Sequence, residues 1–309
     1  SEGRSRHPGN ALVGARAASG IITPMSTSAV ELRAGDLRLA LRPDLGGSIA
    51  GLWLGDTPVL RSTEPGALSG PRASGCFPLA PYSNRLGWRR FRWQGREHTT
   101  APNFDEDYPH SLHGTAWREA WQVERADATS AELVLTHLTD DHWPYTFDLT
   151  QRFVLSPGGL RVSLVFTNID ARTQPVGLGW HPYFPKRSRS RVHVECSGRW
   201  ESDPATHLPT RRVGIKGLDG EVRHLDVDHC FDGWQGPARV RDEALAVSIT
   251  SSLDHLVVYT PPTRDYFCVE PVSHVSNAIQ MADPAAHGLI ALGAAETVEA
   301  WMAIEVHRA

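Results

Sequence analysis

The chain reads as an all-β protein, a large antiparallel β-sandwich with few helices. Three features say so: apolar residues recur at every second position, Gly (27) and Pro (22) break the chain at short intervals, and no window of a dozen residues keeps a helical apolar stripe. The strongest alternation runs through YTFDLTQRFVL, where Tyr145, Phe147, Leu149, Gln151, Phe153 and Leu155 fall on one face. The turn SPGG follows, and Val162, Leu164 and Phe166 then alternate through LRVSLVFTN, which predicts two half-buried strands joined as a hairpin. DHLVVYTPPTRDYFCVEP repeats the scheme as strand, Pro-rich turn and strand. The same criterion predicts strands near 37–43, 121–126, 131–137, 244–250 and 299–307. Face-to-face packing of two large sheets buries the apolar face of each.

A length of 309 residues is compatible with two domains, but large β folds reach this size as one. We read 25–309 as a single domain. Residues 1–24 are rich in Gly, Ala, Ser and Arg without a continuous apolar stretch, and read as a disordered extension, with Met25 as a start. The net charge of −4 gives no basic face for nucleic acid and no polybasic tract for a membrane surface. Nothing approaches the ~18 apolar residues of a membrane span. Cys76, Cys196, Cys230 and Cys268 lie far apart with no C-x-x-C pair, the pattern of free thiols in a cytoplasmic protein. Oligomeric state leaves no mark in the sequence.

Four places hold polar groups that strand patterning does not require. Asn84 and Arg85 follow the apolar run CFPLAPY, and His110 and His113 sit on a loop before Trp121. His181 lies in GWHPYFP, among Trp180, Tyr183 and Phe184 and before Pro182, which restricts its backbone. A lone histidine there also fits a core residue satisfied by backbone groups. Glu270 ends the apolar run Tyr266–Val269; it is either an exposed strand end or a buried carboxylate that needs a partner. Beside a histidine it would complete a general acid/base pair, each member supporting the other's charged form. His110, His113, His142 and His181 could instead gather around a metal, although their spacing matches no standard ligand signature.

With these segments in view, the chain resembles the aldose 1-epimerase (galactose mutarotase) family from about residue 30 to residue 306. The resemblance rests on DLGGSIAGLW, FPLAPYSNRLG, LHGTAW, WPYTFDLTQRFVL, GWHPYFP, DHCF and CVEPVSHVSNAI, in that order. It implies a large antiparallel sandwich that interconverts the α and β anomers of a free sugar without metal or organic cofactor. It implies Glu270 as the base at the C1 hydroxyl, His181 as the acid at the ring oxygen, and His113 as a hydrogen-bonding partner near that oxygen. Arg85 and Asp228 would bind sugar hydroxyls, with Asn84, Trp180 and Tyr183 around them; Asp226 and Asp232 stand close enough to exchange with Asp228 in the alignment. Ionised Glu270 with protonated His181 would give a bell-shaped pH profile. PVSHVSNAIQM, after Glu270, is similar to the broad branch of the family and names no sugar.

Two other functions share this fold. A hexose-6-phosphate 1-epimerase would place arginine soon after the His-Gly pair; here Thr115-Ala116-Trp117 intervenes, with Arg118, Arg89 and Arg90 nearby. A catalytically silent carbohydrate-binding protein would have no need of both Glu270 and His181. The ten tryptophans favour neither, since large β cores also need aromatics.

Overall fold

Period-two alternation becomes strand wherever the sequence displays it. The structure, a computed structural model, describes residues 29–309; the extension expected at 1–24 and the start at Met25 lie outside the described residues. The expected hairpin is Phe147–Ser156 with Gly159–Asn168, and its inward residues are buried in strict alternation. Leu37–Arg42, Gln122–Ala126, Ser130–His137, Leu245–Ser251 and Thr297–Arg308 form within two residues of their expected bounds. No α-helix occurs among the described residues, only single turns of 3-10 helix, and no helix is long and apolar enough to cross a membrane.

Two large antiparallel sheets carry the architecture. The nine-stranded sheet is centred on the hairpin and Thr297–Arg308. The eight-stranded sheet runs Pro209–Gly214, Gly198–Ser202, Asp228–Asp232, His255–Tyr259, Tyr266–Val272, Gly179–Trp180 and Pro78–Leu79, with Tyr183–Pro185 also paired to Tyr266–Val272. A smaller sheet from Val30–Ala34 to Thr57–Pro58 precedes them. Ser48–Leu54 within it was not legible as a strand because all seven residues are buried, so neither face is polar.

One continuous apolar core links the sheets. Between them lies one deliberate polar contact: buried Gln151 accepts a hydrogen bond from the Trp180 indole (3.4 Å) and donates to the Gly47 carbonyl (3.1 Å). The apolar filling includes Phe147 and Phe166, fully buried and stacked with ring centroids 4.6 Å apart. Phe166→Ala should therefore cost about 3–5 kcal/mol through lost burial and a residual cavity. Urea unfolding should show a lower midpoint at unchanged slope; an unaltered midpoint would contradict the packing.

Candidate active site

Strand register brings the two principal groups together. Tyr183 pairs with Cys268 and Gly179 pairs with Val272 in one antiparallel register. Regular pairing lapses between those two points, yet the register places His181 opposite Glu270. Residues directly opposite in antiparallel strands point to the same face, and His181 Nε2 lies 3.4 Å from Glu270 Oε1. The next strands extend the row: Glu270 pairs with Val257, and Cys268 with Tyr259, which in turn pairs with Asp228. One face of the eight-stranded sheet thus forms the floor of a cavity of about 630 Å³, within the size range of small-molecule sites.

Loops build the wall. The chain makes two left-handed turns side by side, at Asn84 (φ 56°) and His113 (φ 63°). The backbone N–H of His113 donates to the Asn84 carbonyl (2.9 Å), and the backbone N–H of Asn84 donates to His113 Nδ1 (3.0 Å). Nδ1 is therefore an acceptor, and the ring proton sits on Nε2. Gly114 follows at φ 72°, and a Cβ there would meet the Ala80 carbonyl oxygen at 2.1 Å, so only glycine allows the wall to sit this close. The Asn84 side-chain oxygen accepts from Arg85 Nη1 (3.1 Å) and from the Ser276 hydroxyl (2.8 Å). Arg85 also donates to the Tyr108 phenol (2.7 Å) and to Asp228 (3.4 Å). The guanidinium is held in place before any ligand arrives.

Burial governs the electrostatics. Glu270 and His181 are almost sealed from solvent. Burial raises the Glu270 carboxyl well above the usual carboxylate range, helped by the Asp228 charge and opposed by Arg85. Burial lowers His181 well below the ordinary imidazole value, reinforced by His113 and by the Arg61 guanidinium. Both shifts run against the expectation that Glu270 keeps the imidazolium populated, because burial disfavours the charged form of each group. Glu270 Oε2 and His181 Nδ1 are both buried without a hydrogen-bond partner among the described residues, so His181 is not a core histidine satisfied by backbone. His113 is neutral for the same reason, with burial and then Arg85 lowering it to about 3.

Glu270, His181, His113, Arg85, Asn84, Asp228 and Tyr183 all line the cavity. Trp180 does not. It precedes His181 by one residue and faces the other side of the sheet, fully buried with its indole on Gln151. Of the three neighbouring aspartates, Asp228 reaches the cavity, Asp232 is taken by Arg212 and the Trp200 indole, and Asp226 is exposed. The four histidines weighed as metal ligands do not converge: His110 is satisfied by the Trp88 N–H and the Thr206 carbonyl, and His142 meets Arg118. Arg89, Arg90 and Arg118 are not among the lining residues; Arg61, Arg72 and Arg264 are. Sequence reading also missed Phe77, 4.8 Å from the His181 ring, and Tyr108, whose loop NFDEDYPHS carries no strand signal.

Two buried imidazoles make stability depend on pH. His113 is lowered to about 3 and His274, held by the Ser83 N–H and the Val275 carbonyl, to about 4. The unfolded chain takes up these protons below about pH 6.5, whereas the folded chain does not until the lowered values. The unfolded state therefore binds more protons in that window, and stability falls as pH drops from about 6.5 toward 4. Melting temperature should decline steadily over this range, and His274→Gln should flatten the decline. An identical slope in the variant would remove His274 from the account.

Comparison with known proteins agrees with this architecture. The chain is 33% identical over 295 residues to the uncharacterised Escherichia coli (strain K12) protein YphB, covering 88% of this chain and 96% of that one. A crystal structure of a candidate aldose 1-epimerase from Escherichia coli K12 superposes with a TM-score of 0.82 at 31% identity, over 91% of this chain and 99% of that one. A galactose mutarotase-like protein from Clostridium acetobutylicum shares the fold, with a TM-score of 0.79 at 18% identity over 91% and 95% of the two chains. The family model for aldose 1-epimerase matches residues 28–305, and the chain belongs to the aldose 1-epimerase family.

Proposed function

We propose that the protein is a mutarotase, interconverting the α and β anomers of a free aldose by acid/base ring opening and reclosure. One observation carries the reading: the 3.4 Å between His181 Nε2 and Glu270 Oε1. The two oxygens that exchange protons in this reaction, the anomeric hydroxyl and the ring oxygen, are bonded to the same carbon. An acid and a base that each reach one of them within about 2.6–3.2 Å must themselves be close neighbours on one surface.

Glu270, ionised, takes the proton from the C1 hydroxyl as the C1–ring-oxygen bond breaks. Protonated His181 delivers a proton to that ring oxygen, leaving the open-chain aldehyde. The pair then stands as neutral carboxyl and neutral imidazole, the state that burial favours. After rotation about C1–C2 the carbonyl presents its other face, and the two transfers run backwards to close the other anomer. Neutral His113 donates from Nε2 near the ring oxygen, while Arg85 donates to, and Asp228 accepts from, sugar hydroxyls. Activity requires one proton on the pair. It is lost in acid when His181 gains a second proton and in alkali when Glu270 loses the last one, so the lowered histidine and raised carboxyl give a broad bell.

A second reading has its own support. Arg72 pairs with Asp105 and Arg85 with Asp228, but Arg61 and Arg264, also on the cavity, have no carboxylate partner among the described residues. Two uncompensated guanidiniums suit a phosphorylated aldose. Four free, buried cysteines support a cytoplasmic location.

Exchange NMR on α/β-glucose, α/β-galactose and glucose 6-phosphate tests both readings in one panel. Glu270→Gln should slow anomer exchange by about 10²–10⁴-fold and keep sugar affinity within about tenfold. Unchanged exchange in the variant would overturn the mechanism, and sugar binding without exchange in the parent protein would leave a silent carbohydrate-binding protein.

A further inference from the structure

The mechanism leaves Cys268 unused. It lies two residues before Glu270 on the same strand and the same face, fully buried and free of any disulfide. Its Sγ, His181 Nε2 or Nδ1 and a Glu270 oxygen all fall within 4.8 Å of one another. We propose that His181, Cys268 and Glu270 form a site for a thiophilic divalent cation of the zinc class, which inhibits the protein by occupying the cavity floor.

The donor set selects the ion. One nitrogen, one sulfur and one carboxylate oxygen suit tetrahedral zinc, whereas magnesium and calcium require shells made mainly of oxygen. The nitrogen–oxygen spacing is close to what zinc imposes: such ligands at about 2.0–2.1 Å from the ion lie roughly 3.3 Å apart at tetrahedral angles, and Nε2 and Oε1 are 3.4 Å apart, while the sulfur, within 4.8 Å of both partners, closes on the ion when it binds. Glu270 Oε2, buried without a partner, supplies an unsatisfied acceptor at the same point. Binding forms Zn–S, Zn–N and Zn–O bonds, with the thiol proton and the carboxyl proton released to solvent and no change of oxidation state. Two of the three ligands, His181 and Glu270, line the cavity.

The same geometry makes the cation an inhibitor and not a permanent resident. Metal-binding histidines normally donate their second nitrogen to a partner that orients the ring, and His181 Nδ1 has none. Three protein ligands leave the fourth position open, so the site is not a closed structural one. The bound ion also takes the lone pairs of both the acid and the base, so it excludes a sugar.

Cobalt(II) titration of the whole protein tests the site without any turnover assay. Thiolate ligation should give an intense near-ultraviolet charge-transfer band and visible bands of tetrahedral cobalt, both abolished by added zinc. Zinc should inhibit anomer exchange competitively with sugar. Cys268→Ala should keep its basal exchange, lose the near-ultraviolet band and need at least about tenfold more zinc for inhibition, since even loss of an outer partner costs that much. Cys268→Ser serves as a second variant should the alanine form fold poorly. Absence of the band in the parent protein, or undiminished zinc sensitivity in a folded Cys268 variant, overturns the proposal. A cobalt band in a protein that exchanges no sugar would retain the cation site and refute the mutarotase reading; exchange without a band would do the reverse.

Discussion

The register between the segment 179–185 and the strand Tyr266–Val272 is the constraint from which the site follows. Pairing on both sides of the gap is fixed by Tyr183 with Cys268 and Gly179 with Val272. A slip of one residue at either end would turn Glu270 or His181 away from the cavity and into the core. The buried neighbours resist such a slip: Trp180 is locked to Gln151 across the sandwich, and Phe184 stacks on Phe267 at 5.7 Å. Glu270 and His181 are therefore positioned by packing on the opposite face of the same sheet.

Much of this was legible in the residues, and the failures have physical reasons. The hairpin at 147–168 announces itself because one face is apolar and the other wet. Ser48–Leu54 hides because both of its faces are covered. GWHPYFP was read as a cluster of aromatics around a histidine, but alternation separates them: Tyr183 shares the His181 face and Trp180 cannot. Asp228 could be told from Asp226 and Asp232 only through its pairing opposite Tyr259, a long-range relation that local pattern does not encode. Charge balance failed differently. Attraction between Glu270 and His181 was foreseeable, whereas the depth at which both are buried depends on the whole cavity.

Depth also changes what the wall must do. Burial disfavours charge at the floor, so orientation of a ligand falls to donors and acceptors already fixed in place. Arg85 is held by Asn84, Tyr108 and Asp228, and the His113 tautomer is dictated by the Asn84 backbone. These contacts order the groups in advance, which lowers the entropy of ordering left to the binding step.

Floor and wall come from different kinds of chain. The floor is sheet, where side chains are pinned by neighbouring strands; the wall is loop around Tyr108 and a single 3-10 turn around Arg72, both free to change composition without disturbing any ladder. The loops can thus vary while the Glu270–His181 register on the sheet is kept. Chains sharing this sandwich are free to differ in the ligand they admit before they differ in the groups on its floor.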